Sequence, residues 1–142
     1  MLEVFKVNFF DSLFSDVRAI RKSVFIEEQG VNSSKEQDEF EEEAVHYLIR
    51  HNNNNIGAAR RRLTDNGIKL ERFAILKEYR GSGMGKKLVE EVLKDVKDSK
   101  KQIYLHAQIQ VVDFYSKLNF VKEGELFKEA GISHYKMTFK FP

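Results

Sequence analysis

The segment LERFAILKEYRGSGMGKKLVEEVL, Leu70 to Leu93, reads as a strand, a glycine-rich turn and a helix in direct succession. On the helical side, Met84, Leu88, Val89, Val92, Leu93 and Val96 recur on one stripe, with Glu90, Glu91, Lys94 and Asp95 opposite, which predicts an amphipathic helix. On the strand side the two-residue alternation changes phase. Ile68 and Leu70 share one parity, Phe73 and Ile75 the other, and the break at Glu71 and Arg72 predicts a β-bulge. Between them Gly81, Gly83 and Gly85 alternate with other residues beside Arg80, Lys86 and Lys87. A turn that feeds a helix presents unpaired N–H groups and about half a positive charge, so it attracts phosphate. Glycine lets that phosphate reach the backbone, and a pyrophosphate is the natural guest. The plain alternative is a turn that merely packs helix on sheet; attachment to a strand and a long helix favours the anion site.

Two familiar phosphate loops do not fit. A P-loop needs a glycine five residues before its Gly-Lys pair and a Ser or Thr after the lysine, where this chain has Arg80 and Lys87. The dinucleotide fingerprint needs a third glycine where Lys86 stands.

Outward from this stretch, EVFKVNFF alternates as a strand, and Leu13, Phe14, Val17, Ile20, Val24 and Phe25 lie on one helical stripe that ends near Gly30. The run from Glu36 to Glu43 holds six acids in eight residues, and its self-repulsion predicts a solvated surface loop. AVHYLIR and IGAARRRL read as strands of a hairpin turned by Asn52 to Asn55. KQIYLHAQ reads as a strand, QVVDFYSKL as a short helix, and NFVKEGELF and HYKMTFKF as strands. The expected fold is thus α/β (α+β): a mixed sheet flanked by helices, in one domain over residues 1–142. Alternation sends Arg60, Arg61 and Arg62 to both faces, so an exposed strand is expected rather than a phosphate-tracking surface. The twelve phenylalanines are expected in the core rather than as base-stacking platforms.

Composition excludes several classes. The chain has no cysteine, which removes disulfides, cysteine zinc sites and a cysteine-borne acyl intermediate, and its four histidines are scattered, so no metal is expected. A net charge of +2 gives no global drive to nucleic acid or anionic lipid. No signal-like or membrane-spanning run is present, so the expected location is cytoplasmic, with neither nucleic acid nor membrane as partner.

Arg80, Gly83 and Gly85 match motif A of the GNAT acyltransferases, and the segment from Leu70 to Leu93 resembles the strand, loop and helix that hold the pyrophosphate and pantetheine of acyl-coenzyme A in that family. HAQIQVVDFYSKLNF resembles motif B, with Tyr115 on a short helix and Asn119-Phe120 in place of the usual Gly-Phe pair. Gln108 stands where many members carry a cofactor-bonding asparagine, and Lys77 where proline is common. RKSVFIEEQGV, AVHYL and FKEAGISHYKM are similar to the small bacterial members related to YjcF and ElaA. The resemblance implies a mostly antiparallel sheet of six to seven strands, split like a V between the fourth and fifth, with the thioester in the split. It further implies acetyl-coenzyme A as co-substrate, bound by Phe73, Ala74, Ile75, Arg80, Gly81, Ser82, Gly83, Met84, Gly85, Lys86, Gln108 and Phe114.

Acyl transfer to an amine needs a base, an oxyanion donor and a proton donor for the thiolate. A bulged strand leaves N–H groups unpaired, which offers the amides of Phe73 to Ile75 for the thioester oxygen. Tyr115 is the family's usual donor, although spacing alone makes it a core aromatic beside Val111, Phe114 and Leu118. Glu28 is the expected base, with Glu71 behind it; His106, His134 and Glu27 are further candidates, each of a type that is more often structural. The expected activity is N-acetyl transfer to a primary amine of a small molecule or protein, directly in a ternary complex. A non-catalytic acyl-coenzyme A sensing module is the alternative, a nucleotide-binding protein a third reading, and a homodimer is compatible with each.

Overall fold

The computed structural model describes all residues, Met1–Pro142. The opening alternation folds as β1 (Leu2–Val7), followed by helix α1 (Phe14–Arg21). The chain then winds on through Lys22–Glu28 with wider i→i+5 bonding, Gln29 N–H donating to the Val24 carbonyl, before Gly30. One wide turn inside a helix rotates all that follows it, a device that recurs at functional sites. Helical periodicity anticipated a regular helix here, because two short stretches of different pitch share one apolar stripe.

A single turn, α2 (Ser33–Glu36), begins where the Asn32 side chain accepts the Ser34 N–H. Next comes the hairpin of β2 (Val45–His51) and β3 (Asn54–Thr64), turned at Asn52 and Asn53 with φ of 49° and 66°. β4 (Gly67–Ile75), α3 (Met84–Val96), β5 (Ile103–Gln108), α4 (Val112–Ser116), β6 (Phe120–Glu129) and β7 (Ile132–Phe139) complete the chain. The seven strands form one sheet in the order β1-β2-β3-β4-β5-β7-β6. Every pairing is antiparallel except β4 with β5.

That parallel pairing is short. It joins Ile68 to Ile103, Lys69 to Tyr104 and Leu70 to Leu105, and stops. Beyond Leu70 and Leu105 the strands part, which is the expected V between the fourth and fifth strands. The β3–β4 register slips where the phase break predicted it, and Arg72 carries a φ of 59°. The bulge bends β4 away from β5 and so opens the split.

Neighbouring strand residues feed opposite cores: Tyr47 and Ile49 pack with the α3 stripe of Leu88, Val89 and Val92, whereas Leu48 packs with Phe14, Val17 and Ile20 of α1. Each such buried Leu, Val or Ile contributes about 1.5–3 kcal/mol relative to exposure, so both helix layers are pinned to the sheet.

Two expectations fail for one reason. The acidic run is not simply a solvated loop, because Glu36 and Glu41 are buried, and Arg60 is fully buried rather than on an exposed strand face. Arg60 bonds Asp38 at 2.7 and 2.8 Å, Glu41 at 2.7 Å, and Glu71. Arg21, also fully buried, bonds Glu36 at 2.7 Å and Glu41 at 3.1 Å. Opposite charge removes the repulsion on which the loop reading rested. Nor are all phenylalanines core: Phe10, Phe114 and Phe141 are exposed. No helix is long and apolar enough to cross a membrane.

Candidate active site

The turn before α3 leaves its donors free. The backbone N–H groups of Gly81, Ser82, Gly83, Met84, Gly85 and Lys86 make no hydrogen bond within the protein, and α3 has no side-chain cap. Gly81 and Gly83 sit at φ of 81° and 85°, a conformation that strains other residues, and a Cβ placed on either would meet nothing within 4 Å. The space over the turn is therefore open, and the exposed Lys86 and Lys87 flank it. Ser82 Oγ donates to the Tyr79 carbonyl at 2.8 Å and steadies the turn. Gly85 differs: a Cβ there would make an ordinary contact with the ring of Phe114 at 3.6 Å, so α4 covers this position. Donors in a row, open space and a helix N-terminus together fit a diphosphate.

Arg80, the first residue of the motif, is already engaged within the protein. It donates to Glu28 at 2.5 and 2.7 Å and to the Ile75 carbonyl at 2.8 Å. Glu28, at the end of the wide-wound segment, is held below the usual carboxylate range by the Arg80 hydrogen bond and charge. Both side chains remain more than a third exposed, so a stronger anion can exchange with the carboxylate.

The β4 edge continues the row of donors. Leu76 N–H bonds the Ile56 carbonyl on the β3 side. Strand alternation then points the amide of Ala74 the same way and those of Phe73 and Ile75 to the open edge, where β5 has departed. The side chain of Ala74 is buried in the α1 core.

The V encloses a cleft of about 550 Å³, lined on the β4 side by Glu71, Arg72 and Phe73 and on the other by Ala107, Gln108 and Tyr115. Gln108 accepts from Gln110. Tyr115 is buried and rests edge-on to Phe114 at 5.0 Å and Phe120 at 5.7 Å. Its hydroxyl has no partner in the protein, and burial pushes its pKa well above that of a free phenol. The group stays protonated at any physiological pH and donates rather than releases its proton.

Glu71 faces the cleft but bonds Arg60, and Arg62 at 2.8 Å. Burial raises its pKa, and Arg60 more than reverses this, so the carboxyl is held ionised. Arg72 reaches from the bulge to Asp38 at 3.1 Å and tethers the loop after α2 to β4. Sequence reasoning named His106 and His134 but missed Glu129, whose carboxylate lies 3.2 Å from His106 Nδ1 on the same cleft. Nothing local marked Glu129, because its partners come from two other strands.

The acetyltransferase (GNAT) domain family matches residues 14–141. YyaT of Bacillus subtilis is 42% identical over 123 residues, covering 84% of this chain and 83% of that protein. The uncharacterized N-acetyltransferase YjcF of the same organism is 36% identical over 124 residues, covering 86% and 89%. The crystal structure of Escherichia coli ElaA superposes with a TM-score of 0.87 at 23% identity, covering 99% of this chain and 100% of that one, a likeness of fold. A turn of open amides before a helix and a split sheet, in a chain matched over nearly its whole length, have one consistent account: the protein belongs to the GNAT family and is an acyl-coenzyme A dependent acyltransferase.

Proposed function

We propose that the protein transfers an acetyl group from acetyl-coenzyme A to a primary amine by direct attack in a ternary complex, residues 1–142 acting as one catalytic domain. The observation that carries this reading is the unbroken row of unpaired amides from Gly81 to Lys86, continued by those of Phe73 and Ile75 on the open edge. The first group fits the diphosphate. The second fits the pantetheine and the thioester oxygen, where loss of one such donor typically costs about 3 kcal/mol.

Tyr115 has the properties of the leaving-group donor: a buried, protonated hydroxyl with no partner, lining the same cleft. Its raised pKa makes full proton transfer to a thiolate less favourable, so it acts by hydrogen bonding as the C–S bond breaks. Gln108 and Phe114 flank the acyl chain. Glu28 and Glu71 are both held as carboxylates by guanidinium groups, which weakens them as bases. We read Glu71 as the anchor of the bulge and Glu28 as the residue that holds Arg80 until a diphosphate arrives.

The test is thiol release from acetyl-coenzyme A across a panel of primary amines, with thermal stability measured beside it. A transferase consumes the thioester only with an amine present. Stabilisation by coenzyme A without turnover would mark a sensing module, and stabilisation by ATP or NAD instead would overturn the reading.

A further inference from the structure

The far wall of the cleft carries a group that the transfer as described does not use. His106 stands on β5, Glu129 ends β6 and His134 lies on β7, directly opposite Gln108 in the register. All three line the cleft that holds Tyr115. Glu129 Oε1 is 3.2 Å from His106 Nδ1, and Oε2 is 3.7 Å from His134 Nε2. Phe127 packs on both imidazoles, edge-on to His106 at 4.9 Å and stacked on His134 at 5.8 Å, and so fixes their planes.

The partners determine where the protons are. A carbonyl only accepts, so His134 Nδ1, 2.7 Å from the Ile132 carbonyl, carries the hydrogen. His134 Nε2 therefore presents a lone pair when the ring is neutral, facing a carboxylate that also only accepts. His106 Nδ1 donates to Glu129, which leaves its own Nε2 an acceptor. That hydrogen bond, against the opposing effect of burial, holds Glu129 ionised with a pKa of about 2. The cluster is acceptor-rich and lacks a donor between Glu129 and His134. Of the charged groups around it, Lys69 of β4 lines the same cleft but lies within 4 Å of no carboxylate except Glu71, and Lys136 of β7 is paired with Glu123 at 3.4 Å. No set of three or more His, Asp or Glu side chains is arranged to hold a metal ion. The missing partner is a small cation with several N–H donors.

We propose that Glu129 and His134 dock the acceptor as its ammonium ion and remove its proton, with His106 as the positioning residue. This rests on the transferase reading and supplies its base. The ammonium donates to Glu129 Oε2 and His134 Nε2, and one proton passes to Nε2. The imidazolium so formed is held beside the carboxylate. The freed nitrogen lone pair forms the C–N bond to the thioester carbon, and the C–S bond breaks. The second nitrogen proton reaches the sulfur through water, while the Tyr115 hydroxyl hydrogen-bonds the departing thiolate. The imidazolium returns its proton to water, so one ammonium and one thioester give one amide, one thiol and one proton. The acceptor selected is a basic amine and not an alcohol of the same shape.

The experiment has two arms, with n-butylamine as probe. In the first, the imidazole nitrogens of the full chain are followed by NMR. n-Butylamine is expected to shift His134 Nε2 where n-butanol does not, and Glu129→Gln to raise the half-saturating amine concentration about 10-fold. In the second, thiol release from acetyl-coenzyme A is measured against pH. His134→Gln is expected to lower kcat about 100-fold and to remove the acid limb that an imidazole base imposes, with acetyl-coenzyme A affinity unchanged. Imidazole signals indifferent to the amine would overturn the docking site, and an unaltered rate and pH profile in His134→Gln would overturn the base. Should the imidazoles bind n-butylamine while wild-type protein fails to bind acetyl-coenzyme A, the docking site stands and the transferase reading falls.

Discussion

The turn before α3 and the bulge of β4 are both built on charge, and they use it in opposite ways. Around the bulge, Arg21, Arg60, Arg62 and Arg72 meet Glu36, Asp38, Glu41 and Glu71, and four guanidinium groups find four carboxylates inside the protein. At the turn, a row of amides and Lys86 have nothing internal to bind, and Lys87 meets only Glu91, at 3.9 Å. A closed network of this kind fixes geometry, because any unpaired member is costly in a dry setting. An open one invites a ligand, because its donors are already hydrated and aligned. Bulge and turn are joined by less than ten residues of chain, so the rigid network sets the course of the open β4 edge that leads to the turn.

Breaking the closed region has the largest effect. Arg60→Met removes the guanidinium that Asp38, Glu41 and Glu71 share, leaving each carboxylate hydrogen-bonded to one remaining arginine, and is expected to lower the free energy of unfolding by about 3–5 kcal/mol, read from urea denaturation. A loss under about 1 kcal/mol would mean that the network is solvated and the contrast false. At the open turn, Gly83→Glu places a carboxylate where the diphosphate is to sit. Coenzyme A affinity should fall on the order of 1000-fold, about 4 kcal/mol, while the strained φ costs the fold only about 1–2 kcal/mol. Calorimetric titration checks the first and denaturation the second. Tyr115→Phe follows, with kcat down about 100-fold and the affinity for acetyl-coenzyme A unmoved.

The same contrast decides what the sequence made legible. The turn is local: Arg80, Gly83 and Gly85 lie within six residues, and strand, turn and helix follow in order, so both its place and its unpaired amides could be read. The bulge was legible as a change of parity at Glu71 and Arg72, since alternation records which face each side chain takes. Its charge network was not. Arg60 finds Asp38 22 residues away and Arg21 finds Glu36 15 away, and no periodicity marks such pairs. The acidic run looked self-repelling because its counter-charges lie on α1 and on the paired strands β3 and β4. Glu129 was invisible for a similar reason, its histidine partners standing on β5 and β7.

Acid tests the closed region more gently. Burial raises the pKa of Asp38, but the Arg60 hydrogen bonds and charge outweigh it and bring it from the ordinary 3.8 to about 2. A depressed folded-state pKa contributes stability that is complete above the unfolded value and is lost as pH falls through the folded one. The urea midpoint should therefore decline from about pH 4 down to pH 2, and Asp38→Asn, already weakened at neutral pH, should decline less over that window. Parallel curves for the two proteins would remove Asp38 from the network.

The smallest effect is the most discriminating, because it falls on the contact that ties the wide-wound end of the first helix to the open turn. Glu28 grips Arg80 through two hydrogen bonds, both side chains being well exposed. If Glu28 is only a placeholder for the diphosphate, Glu28→Gln frees the guanidinium in advance. Acetyl-coenzyme A should then bind a few-fold more tightly, with kcat and thermal stability unchanged. If Glu28 is the base, the same substitution lowers kcat and flattens the pH profile without improving cofactor affinity. The two outcomes differ in sign on one parameter and in size on the other, so steady-state kinetics with acetyl-coenzyme A as varied substrate separates them. A gain in affinity would show that the open turn is held by a displaceable anion of the protein's own.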